Sequence, residues 1–430
     1  MKYIKKVLSN GLTVIMLPDK NTKMISMGFF VEAGSRNESS ETYGIAHFLE
    51  HMMFKGTKYR KAKDIFFELD KQGANYNAGT SHHYTYYYLS GNMENTKTLK
   101  DIILDIYINP SFPKSEIEKE RKVIIEEMRM SGDSPNSKLF DLLHKKMFAN
   151  TTLEHSIIGT EHTVNNIKKS DFIEFRSNLY QPNKTVFVIE GNFNRDLILS
   201  TLEKFLGELP NNLTNKTIDY SGEKLVEILS KQTIPRIVVK KNNYVDQSYV
   251  LIAFPIMDMY EKHNVEIDML SNLLTNGFSS RLGKSLREDR GLTYNIDSGS
   301  MVYQTIGTFN ISMAIHPNEL ENGLKIIFKE LSKIKKAEIT DDELIKLKNI
   351  AINENMISSL YGLDKLRYFG LNFVSDRNFV PDEENDIKKI KKINKQSIQN
   401  IANNIFKTMF INVFIYGQCK ITNFDFVEIK

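Results

Sequence analysis

The 430-residue sequence has no tryptophan and a single cysteine, Cys419. One cysteine excludes an internal disulfide and any cluster of thiolate metal ligands, so a bound metal has to rely on His, Asp or Glu, and a reducing compartment is expected. No apolar run approaches the length needed to span a bilayer. The N-terminus passes directly into strand-like alternation (Leu12, Val14, Met16), without a signal core or an Arg/Ser-rich transit segment. Charge of one sign is also missing. Lys and Arg number 57 against 53 Asp and Glu, a net +4, and they are spread along the chain, which argues against a nucleic-acid surface. The expectation is a soluble, cytoplasmic protein that engages neither membrane nor nucleic acid.

What is present is concentrated between Thr42 and Phe54. Only Gly44, near the start, breaks a helix there, and Ile45, Phe48, Leu49 and Met52 fall on one stripe at i, i+3, i+4 and i+7. His47, Glu50 and His51 project from the other side. Two imidazoles one turn apart can hold one metal ion, and the carboxylate beside them can take a proton from water. The order His-x-x-Glu-His is the inverse of the commoner His-Glu-x-x-His.

A hydrolytic zinc site uses three protein ligands and one open position. The third is sought on the helix expected over Ser115–Met130, among Glu116, Glu118, Glu120, Glu126 and Glu127. Ile117, Ile124 and Met128 mark its apolar stripe. Glu127 flanks that stripe on the same side as Glu120, two turns earlier, whereas Glu126 points to solvent. Glu127 is therefore the candidate ligand, and Glu120 the carboxylate that orients a ligand histidine.

The chain also repeats itself. Gly73-Ala-Asn-Tyr-Asn77 matches Gly291-Leu-Thr-Tyr-Asn295 at an offset of 218, and each is followed by a strand, a helix and a long helix ending Glu126-Glu-Met128 or Glu354-Asn-Met356. A repeat this long means two copies of one α+β domain, not a solenoid. The expected division is residues 1–209, a polar Asn/Thr-rich linker over 210–235, and 236–430. The second copy lacks His-x-x-Glu-His and carries Asn355 where the first has Glu127, so only the first is expected to bind metal. Further expectations are strands over His83–Leu89 and Leu292–Asp297 and a helix over Arg281–Glu288. His82 and His83 are read as substrate-facing or solvent-exposed, not as ligands.

Gly44-Ile-Ala-His-Phe-Leu-Glu-His-Met-Met-Phe-Lys-Gly-Thr57, Glu120-Arg-Lys-Val-Ile-Ile-Glu-Glu127, Ser279-Ser-Arg-Leu282 and Arg287-Glu-Asp-Arg-Gly-Leu-Thr-Tyr294 together resemble a half-length member of the pitrilysin family, which includes insulin-degrading enzyme and mitochondrial processing peptidase. The resemblance implies zinc, one per chain, on His47, His51 and Glu127, with Glu50 as general base and Glu120 as supporting acid. It implies two similar α+β domains, each a mostly antiparallel sheet flanked by helices, and a chamber built from four such domains. Asn77, Ala78 and Gly79 resemble the edge strand along which relatives pair substrate backbone, where small residues leave room for an added strand. Arg287 and Tyr294 resemble the pair that steadies the substrate carbonyl, as a fixed cation and a phenolic donor can. One glycine, Gly277, stands before Ser-Ser-Arg-Leu where many relatives carry a run. The implied activity is a zinc metalloendopeptidase acting on unfolded peptides, as a homodimer or as a heterodimer with a related subunit. Two other readings compete with it: a non-catalytic scaffold subunit of the same fold, and a factor that holds a peptide without cutting it.

Overall fold

The computed structural model describes residues 3–211, 225–257, 260–303, 306–336, 338–358 and 362–429. Two mixed sheets organise them. The first contains β1 (Ile4–Val7), β2 (Thr13–Pro18), β3 (Met24–Val31), β4 (Asn75–Thr80), β5 (Thr85–Asn92) and β6 (Thr185–Gly191), in the order β1-β2-β6-β3-β5-β4. The second contains β7 (Arg236–Lys241), β8 (Ser248–Met257), β9 (Ile296–Tyr303), β10 (Ile306–Ile315) and β11 (Asn412–Gly417), in the order β7-β11-β8-β10-β9. Without β1 the two orders coincide strand for strand. Each has one parallel pair, β2 with β6 and β7 with β11, and antiparallel neighbours elsewhere. The two tandem α+β domains are thus copies of one design. The repeated glycines behave alike too. Gly73 and Gly291 have φ of 59° and 60°, the left-handed turn in which a Cβ is strained.

Both sheets are covered on both faces, which explains strands that are apolar throughout instead of alternating. In β6, Phe187 and Ile189 pack on the side of α1 (Ile45–Met53), α2 (Ala62–Lys71) and α3 (Thr96–Ile108). Val186 and Val188 face Leu366, Phe369 and Phe373 of the helix Gly362–Ser375. In β11, Val413 and Ile415 line one core, while Phe414 and Tyr416 face Leu139, Leu143 and Met147 of α5 (Pro135–Met147). The long helix α4 (Lys114–Asp133) precedes α5, just as Asp341–Ser358 precedes Gly362–Ser375.

The compact units are consequently discontinuous. One comprises Met1–Arg129, His155–Gly222 and Met356–Asp382; the other comprises Met130–Glu154, Glu223–Asn355 and Glu383–Lys430. Each sheet is covered on one face by a helix encoded in the opposite half of the sequence, so a single cut at 210–235 does not describe the units. Of that expected linker, 212–224 lie outside the described residues. Its last part includes the helix Leu225–Ser230, whose Leu225 and Leu229 are buried with Leu251 and Phe414.

Local differences from the sequence reading have identifiable causes. β1 is an additional edge strand, with a burial pattern too exposed to mark it as apolar. The expected strand at Leu292 begins instead at Ile296; Thr293 Oγ1 lies 2.7 Å from the carbonyl oxygens of both Asn295 and Ala314, and its single hydroxyl hydrogen, donated to either, holds the segment out of the ladder. Gly283–Glu288 winds as a π-helix, with the N–H of Asp289 donating to Lys284 O at 2.9 Å.

Candidate metal centre

Helix α1 is anchored by its apolar stripe. Ile45, Phe48, Leu49 and Met52 are at most 1% exposed, and burial of each stabilises the helix by roughly 1.5–3 kcal/mol. Its N-terminus starts at Gly44, whose φ of 96° and lack of a side chain leave the first N–H groups without a local cap. Glu38 caps them from the preceding loop. Its Oε2 accepts from the N–H of Gly44 at 2.8 Å and its Oε1 from the N–H of Ala46 at 2.9 Å. His155 Nε2 lies 3.2 Å from the same carboxylate, and the imidazole stacks on Tyr43. Burial pushes the Glu38 carboxyl up, against the opposing effect of these donors.

The opposite side of α1 presents His47 and His51 with their Nε2 atoms 3.2 Å apart. Glu127, on α4, brings Oε2 to 3.9 Å from His47 Nε2 and 3.7 Å from His51 Nε2. These three are the only His/Cys/Asp/Glu group among the described residues whose ligand atoms converge tightly enough for one ion, all lying within 4.8 Å of one another. Tetrahedral bonds of about 2.0–2.1 Å place ligand atoms roughly 3.3–3.4 Å apart, so the histidine pair is already at that spacing and the carboxylate has only to move in by a few tenths of an ångström. Two imidazoles and one carboxylate, with no thiolate, fit a catalytic zinc. Glu126 is not part of the cluster; it is exposed and pairs with Arg129.

The two histidines are held differently. His51 Nδ1 is 2.9 Å from Glu120 Oε1, and Glu120 Oε2 is 2.7 Å from Lys55 Nζ. An Nδ1–H donated to Glu120 leaves the Nε2 lone pair facing the cluster. Burial pulls the His51 imidazole down, but the Glu120 hydrogen bond and the charges of Glu50, Glu127 and Glu120 outweigh it, so its pKa is raised. His47 is pulled down to about 3 by burial and by its neighbour His51, and is neutral at physiological pH. Its Nδ1 is buried with no hydrogen-bond partner among the described residues. Glu120 sits below the usual carboxylate range: burial raises it, and His51 and Lys55 more than offset that. Replacing it by glutamine should weaken zinc affinity by roughly 10–100-fold, as changes to groups behind a ligand do. Competition with a chelator measures this, and unchanged affinity would make Glu120 a bystander.

Glu50 is buried on α1 beside the ligands, 8% exposed, and accepts a hydrogen bond from Thr80 Oγ1 at 2.7 Å. Burial raises its carboxyl, only partly opposed by Thr80 and His51. Asn77, Ala78 and Gly79 lie on β4, the edge strand of the first sheet, where the outward N–H of Ala78 donates to Asn77 Oδ1 at 2.8 Å. The small size of Gly79 serves the sheet itself, since a Cβ there would come within 2.6 Å of the Tyr86 hydroxyl.

His82 and His83 are not exposed. They occupy the turn before β5, which begins at Thr85; His82 is 7% exposed with Nδ1 2.9 Å from Ser35 Oγ, and His83 is half-buried beside Arg36. A turn, not a strand, sets their direction, and both face the buried loop 34–38. Arg287 and Tyr294 belong to the second unit. The Arg287 guanidinium stands 5.2 Å from the Tyr294 ring and 4.7 Å from the Phe278 ring, and Tyr294 is 78% exposed. Sequence reasoning missed Glu38, Thr80 and Lys55. Lys55 follows the end of α1, where helical spacing no longer fixes its direction.

Residues 13–161 match the insulinase-type M16 peptidases, and residues 166–351 match the inactive domain of the same peptidases. The chain belongs to the M16 peptidase family. The metal cluster falls in the first match, and the inactive-domain match contains no comparable cluster among the described residues. Among M16 relatives, the chain is 27% identical over 398 residues to a zinc protease of Bacillus subtilis, YmxG, covering 92% of this chain and 94% of that one. It is 27% identical over 364 residues to the beta subunit of mitochondrial-processing peptidase of Bos taurus, covering 83% and 72%. A protease from Helicobacter pylori superposes with a TM-score of 0.88 at 25% identity, covering 96% of this chain and 99% of that one. No helix among the described residues is long and apolar enough to cross a membrane.

Proposed function

We propose that this M16 family member is a zinc-dependent metalloendopeptidase that hydrolyses peptide bonds in unfolded peptides. The observation that carries the reading is the convergence of His47, His51 and Glu127 with a buried carboxylate, Glu50, beside them. A zinc ion held there supplies a Lewis acid that polarises a peptide carbonyl and acidifies water. Glu50 takes the proton of the attacking water on its carboxylate. Glu120 holds His51 in the tautomer that presents Nε2, and Lys55 neutralises Glu120. The edge of β4 offers backbone groups at Asn77, Ala78 and Gly79 to an extended peptide, which displaces the Asn77 side chain from the Ala78 N–H. Digestion of a peptide library with and without a chelator, read by mass spectrometry, tests the reading. Cleavage that persists without metal, or no cleavage with about one zinc bound per chain, would overturn it.

The reading includes assembly. The metal ligands lie in the first compact unit and the Arg287–Tyr294 pair in the second. We infer a homodimer with two shared sites, zinc ligands from one protomer and the Arg/Tyr pair from its partner; one M16 relative is named as the beta subunit of mitochondrial-processing peptidase. Symmetric dimers are the commonest assemblies, and this chain carries both halves of the site. Mixing Glu50→Gln with Tyr294→Phe should restore part of the activity each lacks, because one site in the mixed dimer receives two intact halves. No recovery despite demonstrated subunit exchange would reject the shared site.

A further inference from the structure

Thr80 carries the only side-chain hydrogen bond to Glu50 among the described residues. It is the last residue of edge strand β4, paired with Thr85 of β5. Strand alternation puts Tyr76, Ala78 and Thr80 on one face, and Tyr76 and Ala78 pack against the core that contains Ile45, Phe48 and Leu49 of α1. The same register that seats Ala78 under α1 therefore aims the Thr80 hydroxyl at Glu50.

The position of that hydroxyl is fixed from behind. The chain turns immediately after Thr80, and Ser81 Oγ accepts the N–H groups of His83 and Tyr84 at 3.1 and 3.0 Å. The turn is tied to the buried loop 34–38: Ser81 O accepts from the N–H of Ser35 at 3.1 Å, and His82 O from the N–H of Arg36 at 3.0 Å. Arg36 is 1% and His82 7% exposed, so solvent does not compete for these bonds. Glu38, in the same loop, caps α1 and so sets the other end of the Glu50–Thr80 contact. One buried loop holds both partners.

We propose that Thr80 is the positioning residue of the general base: it fixes Oε2 of Glu50, turns Oε1 toward the water that loses its proton, and ties the substrate-pairing strand to the base. This rests on the peptidase reading above. Thr80 touches Glu50 and not the reacting bond, so its loss falls on kcat and leaves peptide binding and zinc binding alone.

Thr80→Val keeps the shape and removes the donor, while Thr80→Ser keeps the donor and removes the methyl. In Thr80→Val, kcat should fall about tenfold or more, with KM and zinc affinity within about twofold of the parent. Thr80→Ser should stay within about threefold of the parent in kcat. In protein labelled with 13C at glutamate carboxylates, the resonance lost in Glu50→Gln should shift in Thr80→Val and not in Thr80→Ser. An unshifted resonance in Thr80→Val overturns the proposal, as does kcat within about twofold of the parent. So does a serine variant as slow as the valine one, or a kcat loss matched by an equal loss of zinc affinity, since both mark a packing role. If the parent shows no chelator-sensitive cleavage, the peptidase reading fails, and the resonance still decides whether Thr80 holds Glu50.

Discussion

Glu50→Gln is expected to lower kcat for peptide cleavage by at least about 100-fold while zinc remains at about one per chain. Glutamine is nearly isosteric, and its amide oxygen can still accept the Thr80 hydroxyl that now bonds Glu50 Oε2. The fold around α1 should therefore survive, since its stability comes from the buried stripe on the other side of the helix. What the amide cannot do is take a proton. Parallel measurement of metal content and of kcat separates the two effects. Retention of more than about a tenth of the activity removes Glu50 from the role of base.

His51→Ala should strip the zinc, to below about a tenth of an ion per chain after dialysis, and take peptide cleavage with it. His51 is a member of the convergent cluster and its Nδ1 is held by the Glu120 carboxylate, so its removal takes away a ligand and the Glu120 contact together. Metal at the wild-type level would reject the ligand assignment. The same residue sets a pH dependence. Burial lowers its pKa, but Glu120 and the surrounding charges raise it beyond the ordinary 6.5, so a proton competes with zinc for Nε2 from above that value downward. Zinc affinity of the wild-type protein should therefore weaken as pH falls through this window. A chelator titration at several pH values checks the sign, and flat affinity would show that His51 is not protonated in the metal-free protein.

The metal cluster was largely legible because helical geometry is local. His47 and His51 share a face by spacing alone, and the stripe on α4 separates Glu127 and Glu120 from the exposed Glu126. The domain repeat was legible for a similar reason: recurrent patterns of strand, helix and turn glycine survive in the sequence, and apart from β1 the two sheets repeat strand for strand. His82 and His83 were misjudged because period-two reasoning applies only inside a strand, and the turn holding them lies just outside one.

The sequence by itself determined the candidate ligand types, their spacing on one helix, the placement of His-x-x-Glu-His in the first half alone, and the α+β repeat. Only the tertiary structure decided that each sheet is covered on one face by a helix from the opposite half, that Glu38 caps α1 with His155 117 residues away, and that Thr80 reaches Glu50 across 30 residues. The physical reason is one of range. Side-chain periodicity is dictated within a turn or two of backbone, so neighbours on one helix or strand can be read from order alone. A hydrogen bond or packed face between distant segments depends on the path of the whole chain, and the sequence carries no local mark of it.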